Sequence, residues 1–144
     1  MRYLLLAALL LASCSKSGPP DLKIRDAWAR ETVAGQTSTA AYMVIANEGS
    51  GDDRLTGVSA DAPAMAMLHS SESSGGVARM RSMTSGLAIP AGTTIALKPG
   101  GSHVMVMGLK APLQRGQKIK LTLQFEKSGA RPIDVAIVSA TEPR

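Results

Sequence analysis

Short segments with alternating or β-branched residues recur along most of the chain, and this pattern constrains the fold more than any other feature. Each segment is five to ten residues long, which is typical of β-strands. A helical periodicity sustained over three turns is not found. The predicted strands are Leu22–Arg30, Thr39–Asn47, Arg54–Ser59, Met65–Ser70, Val77–Met83, Thr93–Lys98, His103–Lys110, Lys118–Glu126 and Ile133–Ala140.

Glycine-containing turn signals separate these segments. Examples are Ser73–Gly76, Pro99–Gly101 and Lys127–Gly129, where glycine supplies the positive φ that tight turns need. Many short strands at regular spacing, joined by such turns, favour a β-sandwich or a Greek-key barrel. We therefore predict an all-β fold of about eight or nine short strands.

The first residues resemble a bacterial export signal. Residues 1–13 contain a basic start, a short apolar run and small residues before Cys14, the single cysteine of the chain. The ending Leu11-Ala12-Ser13-Cys14 resembles a lipoprotein box, in which the cysteine is acylated. We predict a lipoprotein signal peptide at 1–13, a lipidated Cys14 with a tether at 14–21, and one domain at 22–144.

This N-terminus predicts a protein anchored by lipid on the periplasmic side of a bacterial membrane. The residue after the cysteine, Ser15, leaves the inner and outer membranes both open. A single cysteine allows no internal disulfide, and it also excludes a blue-copper site in the folded domain, because that site needs a cysteine thiolate.

The charge pattern argues against nucleic acid as a partner. The net charge is +5, but the basic residues are scattered, and the predicted mature chain has three aromatic residues, Trp28, Tyr42 and Phe125. A basic stripe and a stacking platform, which nucleic-acid binding needs, are both missing from this pattern.

Methionine is concentrated around the two histidines of the chain. Thioether sulfur is a soft neutral ligand that favours Cu(I), and imidazole also binds copper. A single methionine is more often a flexible core filler. The spacing of these residues must therefore distinguish metal binding from core packing. The clustered residues are Met65, Met67, Met80, Met83, Met105 and Met107, with His69 and His103.

Strand periodicity places these residues on shared faces. Alternate side chains of a strand point to one side, so His103, Met105 and Met107 share a face, and Val104 and Val106 take the other. By the same parity, Met65, Met67 and His69 share a face. A hairpin turning at Ser73–Gly76 would return Met80 near the level of His69, so both His/Met strands are expected to converge at one rim.

With this spacing the chain resembles the PCuAC family of periplasmic copper(I) chaperones. The family carries a histidine, ten residues, a methionine, about twenty-one residues and then His-x-Met. Here ten residues separate His69 from Met80, and twenty-two separate Met80 from His103-Val104-Met105. The extra residue is most simply placed in the loop 84–86. A spacing of twenty-one residues before His103 would select Arg81, which cannot bind copper. Met80 is therefore kept as the matching methionine, and Met83 is a less favoured alternative.

Neighbouring segments extend the resemblance from about Ile24 to Ile137. The matching segments are Met80-Arg81, Ile89–Gly92, Leu97–Gly101, Gly108-Leu109 and Leu121–Glu126.

The resemblance implies a cupredoxin-like barrel with an exposed Cu(I) site of His69, Met80, His103 and Met105. Met67 and Met107 would be supporting or transient ligands. The implied function is delivery of Cu(I) to the copper-site subunit of a respiratory oxidase or to a Sco-like assembly protein. The alternative is a copper-storing or structural lipoprotein that transfers nothing. An acid–base pair could be drawn from His69 or His103 with Asp52 or Asp53, but nothing in the sequence fixes their proximity and no nucleophile is marked. We therefore expect no enzyme activity, and we expect a monomer.

Overall fold

The computed structural model describes residues 18–61 and 64–141. The predicted signal peptide at 1–13, Cys14 and the tether residues 15–17 lie outside these residues. Within them the chain forms strands and no α-helix, so no helix there could cross a membrane.

Ten strands are formed by the described residues, compared with the nine expected. The additional strand is β6, whose three residues are too few for an alternation to be recognised. The strands are β1 (Leu22–Arg30), β2 (Ser38–Asn47), β3 (Asp53–Ala60), β4 (Met65–Ser74), β5 (Val77–Ser82), β6 (Leu87–Ile89), β7 (Thr94–Leu97), β8 (Ser102–Met107), β9 (Lys118–Phe125) and β10 (Gly129–Val138).

The strands form a single sheet in the order β5-β4-β8-β2-β1-β10-β9-β3-β6, with β7 pairing with β2. The β1–β10 pair is parallel, and the other neighbours are antiparallel. The sheet curls so that β3 lies beside β4, although these strands are far apart in the hydrogen-bonded order. One face of the curled sheet therefore encloses a common core.

The core face of β4 and β8 consists of aliphatic side chains. Val104 and Val106 are 0% and 1% exposed, and Leu68 of β4 is buried with them. Burying an aliphatic side chain contributes roughly 1.5–3 kcal/mol, so these residues fix which face of each strand points inward. The alternation predicted from the sequence is confirmed here, and the His/Met face points away from the core.

A β-bulge in β1 brings an aromatic pair to that outer face. The pairing of β1 with β2 shifts by one residue between Arg25 and Trp28, at Asp26, which has a positive φ of 53°. Without the extra residue Ala27 would lie opposite Tyr42, whereas in the structure Trp28 does. The rings of Trp28 and Tyr42 lie 4.6 Å apart between centroids. The bulge thus positions Trp28 so that its ring packs against one side of Tyr42.

Asp53, the first residue of β3, has a buried carboxylate that holds the turn between β9 and β10. It accepts hydrogen bonds from the Ser128 hydroxyl (2.6 Å) and from the amides of Arg54, Lys127 and Ser128. Burial raises the pKa of this carboxyl, but the hydrogen bonds from Ser128, Lys127 and Arg54 outweigh burial and hold the pKa below 3.8. The ionised form of Asp53 therefore stabilises the fold.

We predict that Asp53→Asn lowers the free energy of unfolding by about 1–3 kcal/mol at neutral pH, because hydrogen-bond donors are left without an acceptor. The folded-state pKa is depressed, so the contribution of Asp53 is present above its unfolded pKa of about 3.9 and is lost as pH falls through the folded value. Urea unfolding at neutral and acidic pH measures both effects. The free energy of unfolding of the variant should fall less between neutral and acidic pH than that of the wild type.

Asp134→Asn is the matched control, because within the described part of the chain that carboxylate forms just a long, exposed ion pair of 3.9 Å with Lys118. Such pairs contribute little to stability. Equal stability of the Asp53→Asn variant and the control would contradict the prediction.

Candidate metal centre

Strands β4 and β8 are direct neighbours, and their register pairs the histidines and methionines residue for residue. His69 lies opposite His103, and Met67 lies opposite Met105. Antiparallel partners point to the same face with Cβ atoms about 4.5–5.5 Å apart. The sequence predicted that the two His/Met strands converge at one rim, and the structure brings them together as one ladder.

The β4–β5 hairpin carries Met80 to the same face. Its two-residue turn is Gly75-Gly76, with φ values of 59° and 78°, as a type I′ turn requires. Met80 lies opposite Ser71, whereas Ser82 lies opposite His69. Met80 is therefore one same-face position beyond His69, close to the level predicted from the sequence.

The ring of His103 is buried and held in one orientation. The residue is 4% exposed, its Nδ1 lies 3.0 Å from the carbonyl oxygen of Gly101, and its centroid lies 6.3 Å from that of Tyr42. Since a carbonyl can only accept a hydrogen bond, Nδ1 carries the proton and Nε2 keeps a free lone pair. The buried Nε2 has no hydrogen-bond partner among the described residues.

The ring of His69 completes the pair. Its Nε2 lies 3.1 Å from the hydroxyl oxygen of Ser82, and its buried Nδ1 has no partner in the described part of the chain. The rings of His69 and His103 lie 6.0 Å apart at 73° to each other. Metal–nitrogen bonds are about 2 Å long, as for imidazole on zinc, so one ion could reach a nitrogen of each ring.

Three of the four residues that the resemblance implied as ligands line one surface cleft: Met80, His103 and Met105. His69 adjoins the cleft through its ring contact with His103. Met83, the less favoured alternative, is half-buried on the core and its sulfur accepts a hydrogen bond from Ser102 (3.7 Å). The structure thus places Met80 in the same cleft as His103 and Met105, and Met83 is not among the residues that line this cleft.

The charge of the cleft favours a soft ion of low charge. Arg30 is among its lining residues, and none of the residues that line it is acidic. Among residues 18–61 and 64–141, no group of three His, Cys, Asp or Glu side chains could hold a metal. A hard divalent ion would lack the carboxylate ligands that it prefers.

Sequence reasoning missed Tyr42 and Ser82, which contact the histidine rings. Both lie on strands whose alternation was recognised. Their contacts depend on the bulge in β1 and on the hairpin register, however, and neither is visible in the periodicity.

Comparison with known proteins agrees with this geometry. The sequence model of the LpqE-like family, which is described as a lipoprotein family, matches residues 22–137. The chain belongs to the LpqE-like family. It is 40% identical over 116 residues to Lxx21020 of Leifsonia xyli subsp. xyli, which is named as a lipoprotein; the match covers 81% of this chain and 69% of that relative.

Solved PCuAC domains share the fold of this LpqE-like protein. The copper-bound PCuAC domain from PmoF2 is 27% identical, covers 82% of this chain and 92% of its own, and has a TM-score of 0.67. The solution structure of Cu(I)-DR1885 from Deinococcus radiodurans is 29% identical, covers 92% and 87% of the two chains, and has a TM-score of 0.66. The expected membership of the PCuAC family and the all-β, cupredoxin-like fold are confirmed.

We predict that neutral His103 carries its proton on Nδ1, because Gly101 offers only a carbonyl acceptor. Two-dimensional ¹⁵N–¹H correlation spectra of the imidazoles above neutral pH would show the tautomer directly. A His69→Ala variant assigns the two rings. A dominant Nε2–H tautomer of His103 would contradict the proposed orientation of the ring.

Proposed function

We propose that this LpqE-like protein is an extracytoplasmic copper chaperone that binds Cu(I) through His69, Met80, His103 and Met105. The observation that carries the proposal is a pair of buried ring nitrogens, His69 Nδ1 and His103 Nε2, on facing residues of one strand pair. Neither nitrogen has a hydrogen-bond partner within residues 18–61 and 64–141. Leaving a buried polar atom without a partner costs about 1–3 kcal/mol. A bound metal ion would satisfy both atoms.

The donor set explains the choice of Cu(I). Two imidazoles and two thioethers are neutral, and thioethers select soft ions. Arg30 in the cleft further disfavours ions of higher charge. The copper-bound state of a related PCuAC domain and the Cu(I) form of DR1885 support the same cargo.

The hydrogen bonds of the two rings suit them to hold a metal. Metal-binding histidines commonly donate their second N–H to a carbonyl or another acceptor, which orients the ring. Gly101 accepts from His103 in this way, and the Ser82 hydroxyl can accept from Nε2 of His69. Each hydrogen bond leaves the unpartnered nitrogen of its ring as the metal donor.

The contrast in exposure between the ligands indicates how copper could leave. His103 is 4% exposed, whereas Met80 is 52% exposed, on a strand whose six residues are all exposed. An incoming ligand from a partner protein can therefore approach the ion from the side of Met80. Replacement of neutral thioethers by a partner's thiolates would be favourable, since thiolate adds charge that compensates Cu(I).

The lipoprotein family and the sequence of the leader support the proposed location, and the resemblance to copper chaperones supports the proposed recipient. We propose that Cys14 carries the lipid, that the domain lies on the periplasmic side of the membrane, and that copper passes to a respiratory oxidase subunit or to a Sco-like assembly protein. The protein acts as a carrier and catalyses no reaction. Met67 and Met107 extend the thioether face beyond the four proposed ligands.

We predict that replacing His103 by Ala and Met105 by Leu together lowers Cu(I) affinity by more than the 10–100-fold typical of losing an outer-shell partner. Competition with a Cu(I) chelator measures the affinity, and circular dichroism checks the fold. Met83→Leu is the control, because Met83 lies outside the proposed ligand set. Wild-type affinity in the double variant would refute the ligand assignment.

Transfer distinguishes a chaperone from a storage protein. The Cu(I)-loaded chain should load the soluble copper domain of an apo oxidase subunit or an apo Sco-like protein, and metal analysis of the two proteins after their separation would report the transfer. Copper that stays on the chain with both recipients would favour the storage alternative.

A further inference from the structure

Three methionines on the His/Met face are left outside the four proposed ligands: Met65, Met67 and Met107. We call them the outer methionine group. Met65 is 64% exposed and Met67 is 42% exposed, while Met107 is half-buried. The sequence allowed Met65 to be a simple packing residue, but its exposure shows that it is not a core filler.

Methionines that fill the core of this protein behave differently. Met43 is 1% exposed, and Met83 packs against the core from its edge. The exposed methionines gain little from burial, so packing does not account for their presence on this face.

The register brings the three sulfurs within reach of one another. Met65 lies directly opposite Met107, which places their Cβ atoms about 4.5–5.5 Å apart. Met67 is the next residue of β4 on the same face, about 6.5–7 Å from Met65 along the strand. Methionine has three rotatable bonds and adapts its shape readily, so the three thioethers can converge on one ion.

The strand partners of the group add one hydroxyl and no charged or imidazole ligand. Ser38 of β2 lies opposite Met107, and the row Met67–Met105 lies between the row Met65–Met107 and the histidines. Three neutral soft donors select a soft monovalent ion, because hard divalent ions prefer carboxylate oxygens.

We propose that Met65, Met67 and Met107 form a second binding site for Cu(I). This site uses thioether donors alone and is separate from the site of His69, Met80, His103 and Met105. The inference goes beyond the proposed function, because none of its donors is among the four proposed ligands. It reassigns Met67 and Met107 from supporting ligands of the first site to ligands of a second site. Its occupation therefore does not depend on the histidines.

Titration of the full chain with Ag(I), a redox-stable probe for thioether sites, tests the proposal. The chain is labelled with ¹³C at the methionine methyl groups, and native mass spectrometry counts the bound ions. The wild type should bind a second equivalent that shifts the methyl signals of Met65, Met67 and Met107. The combined Met65→Leu and Met107→Leu variant should lose that equivalent, since leucine has a similar volume without a donor atom.

Two further variants make the result specific. Met83→Leu, the matched control, should keep both equivalents. The His69→Ala and His103→Ala double variant should still shift the methyl signals of Met65 and Met107.

Retention of both equivalents by the Met65→Leu and Met107→Leu variant would overturn the second site. The same holds for a wild type that binds one equivalent and shifts only Met80 and Met105, an outcome that leaves the proposed function intact and would point to a protein-docking role for the exposed methionines. If the double histidine variant binds both equivalents with wild-type affinity, the first site fails and the second stands.

Discussion

The antiparallel pairing of β4 with β8 is the constraint on which the candidate site depends. Each strand has two faces, and the burial of Leu68, Val104 and Val106 determines which face is directed into the core. Once that face is fixed, the pairing places His69 opposite His103 on the other side. Slipping the register by one residue would turn the aliphatic residues outward and the histidines inward. The hydrophobic core therefore holds the site in register without contributing any ligand to it.

Rigidity and access are divided between the elements around the histidines. His103 is held by the Gly101 carbonyl and by the Tyr42 ring, which Trp28 supports through the bulge in β1. Met80 comes from the exposed strand β5, which pairs with β4 on one side. In the proposed chaperone, the buried imidazole sets the position of the ion and the exposed thioether provides the side from which a partner can take it.

Much of this arrangement could be predicted from the sequence, because strand alternation is a local property. Parity alone placed Val104 and His103 on opposite faces of one strand, and the turn predicted at Ser73–Gly76 gave the hairpin that returns Met80. The direct pairing of β4 with β8 could not be predicted, since pairing between distant segments depends on the whole sheet. For the same reason Tyr42 was missed: its contact with His103 requires β2 to lie on the other side of β8.

One missed strand and one misplaced strand start also have physical causes. Strand β6 has three residues and pairs with β3, which is too short to show alternation. Strand β10 begins at Gly129 and runs through Pro132, whereas the sequence predicted a start at Ile133. Proline is uncommon inside strands because it cannot donate to the ladder. The structure tolerates Pro132 because β1 pairs with β10 only at residues 136–138, so Pro132 lies where β9 is its one partner. Proline lacks an N–H, and at such an edge no neighbour needs one.

The position of the outer methionines also explains their chemistry. On a face that does not form the core, side chains are free of packing constraints, and a ligand can determine which side chains are present instead.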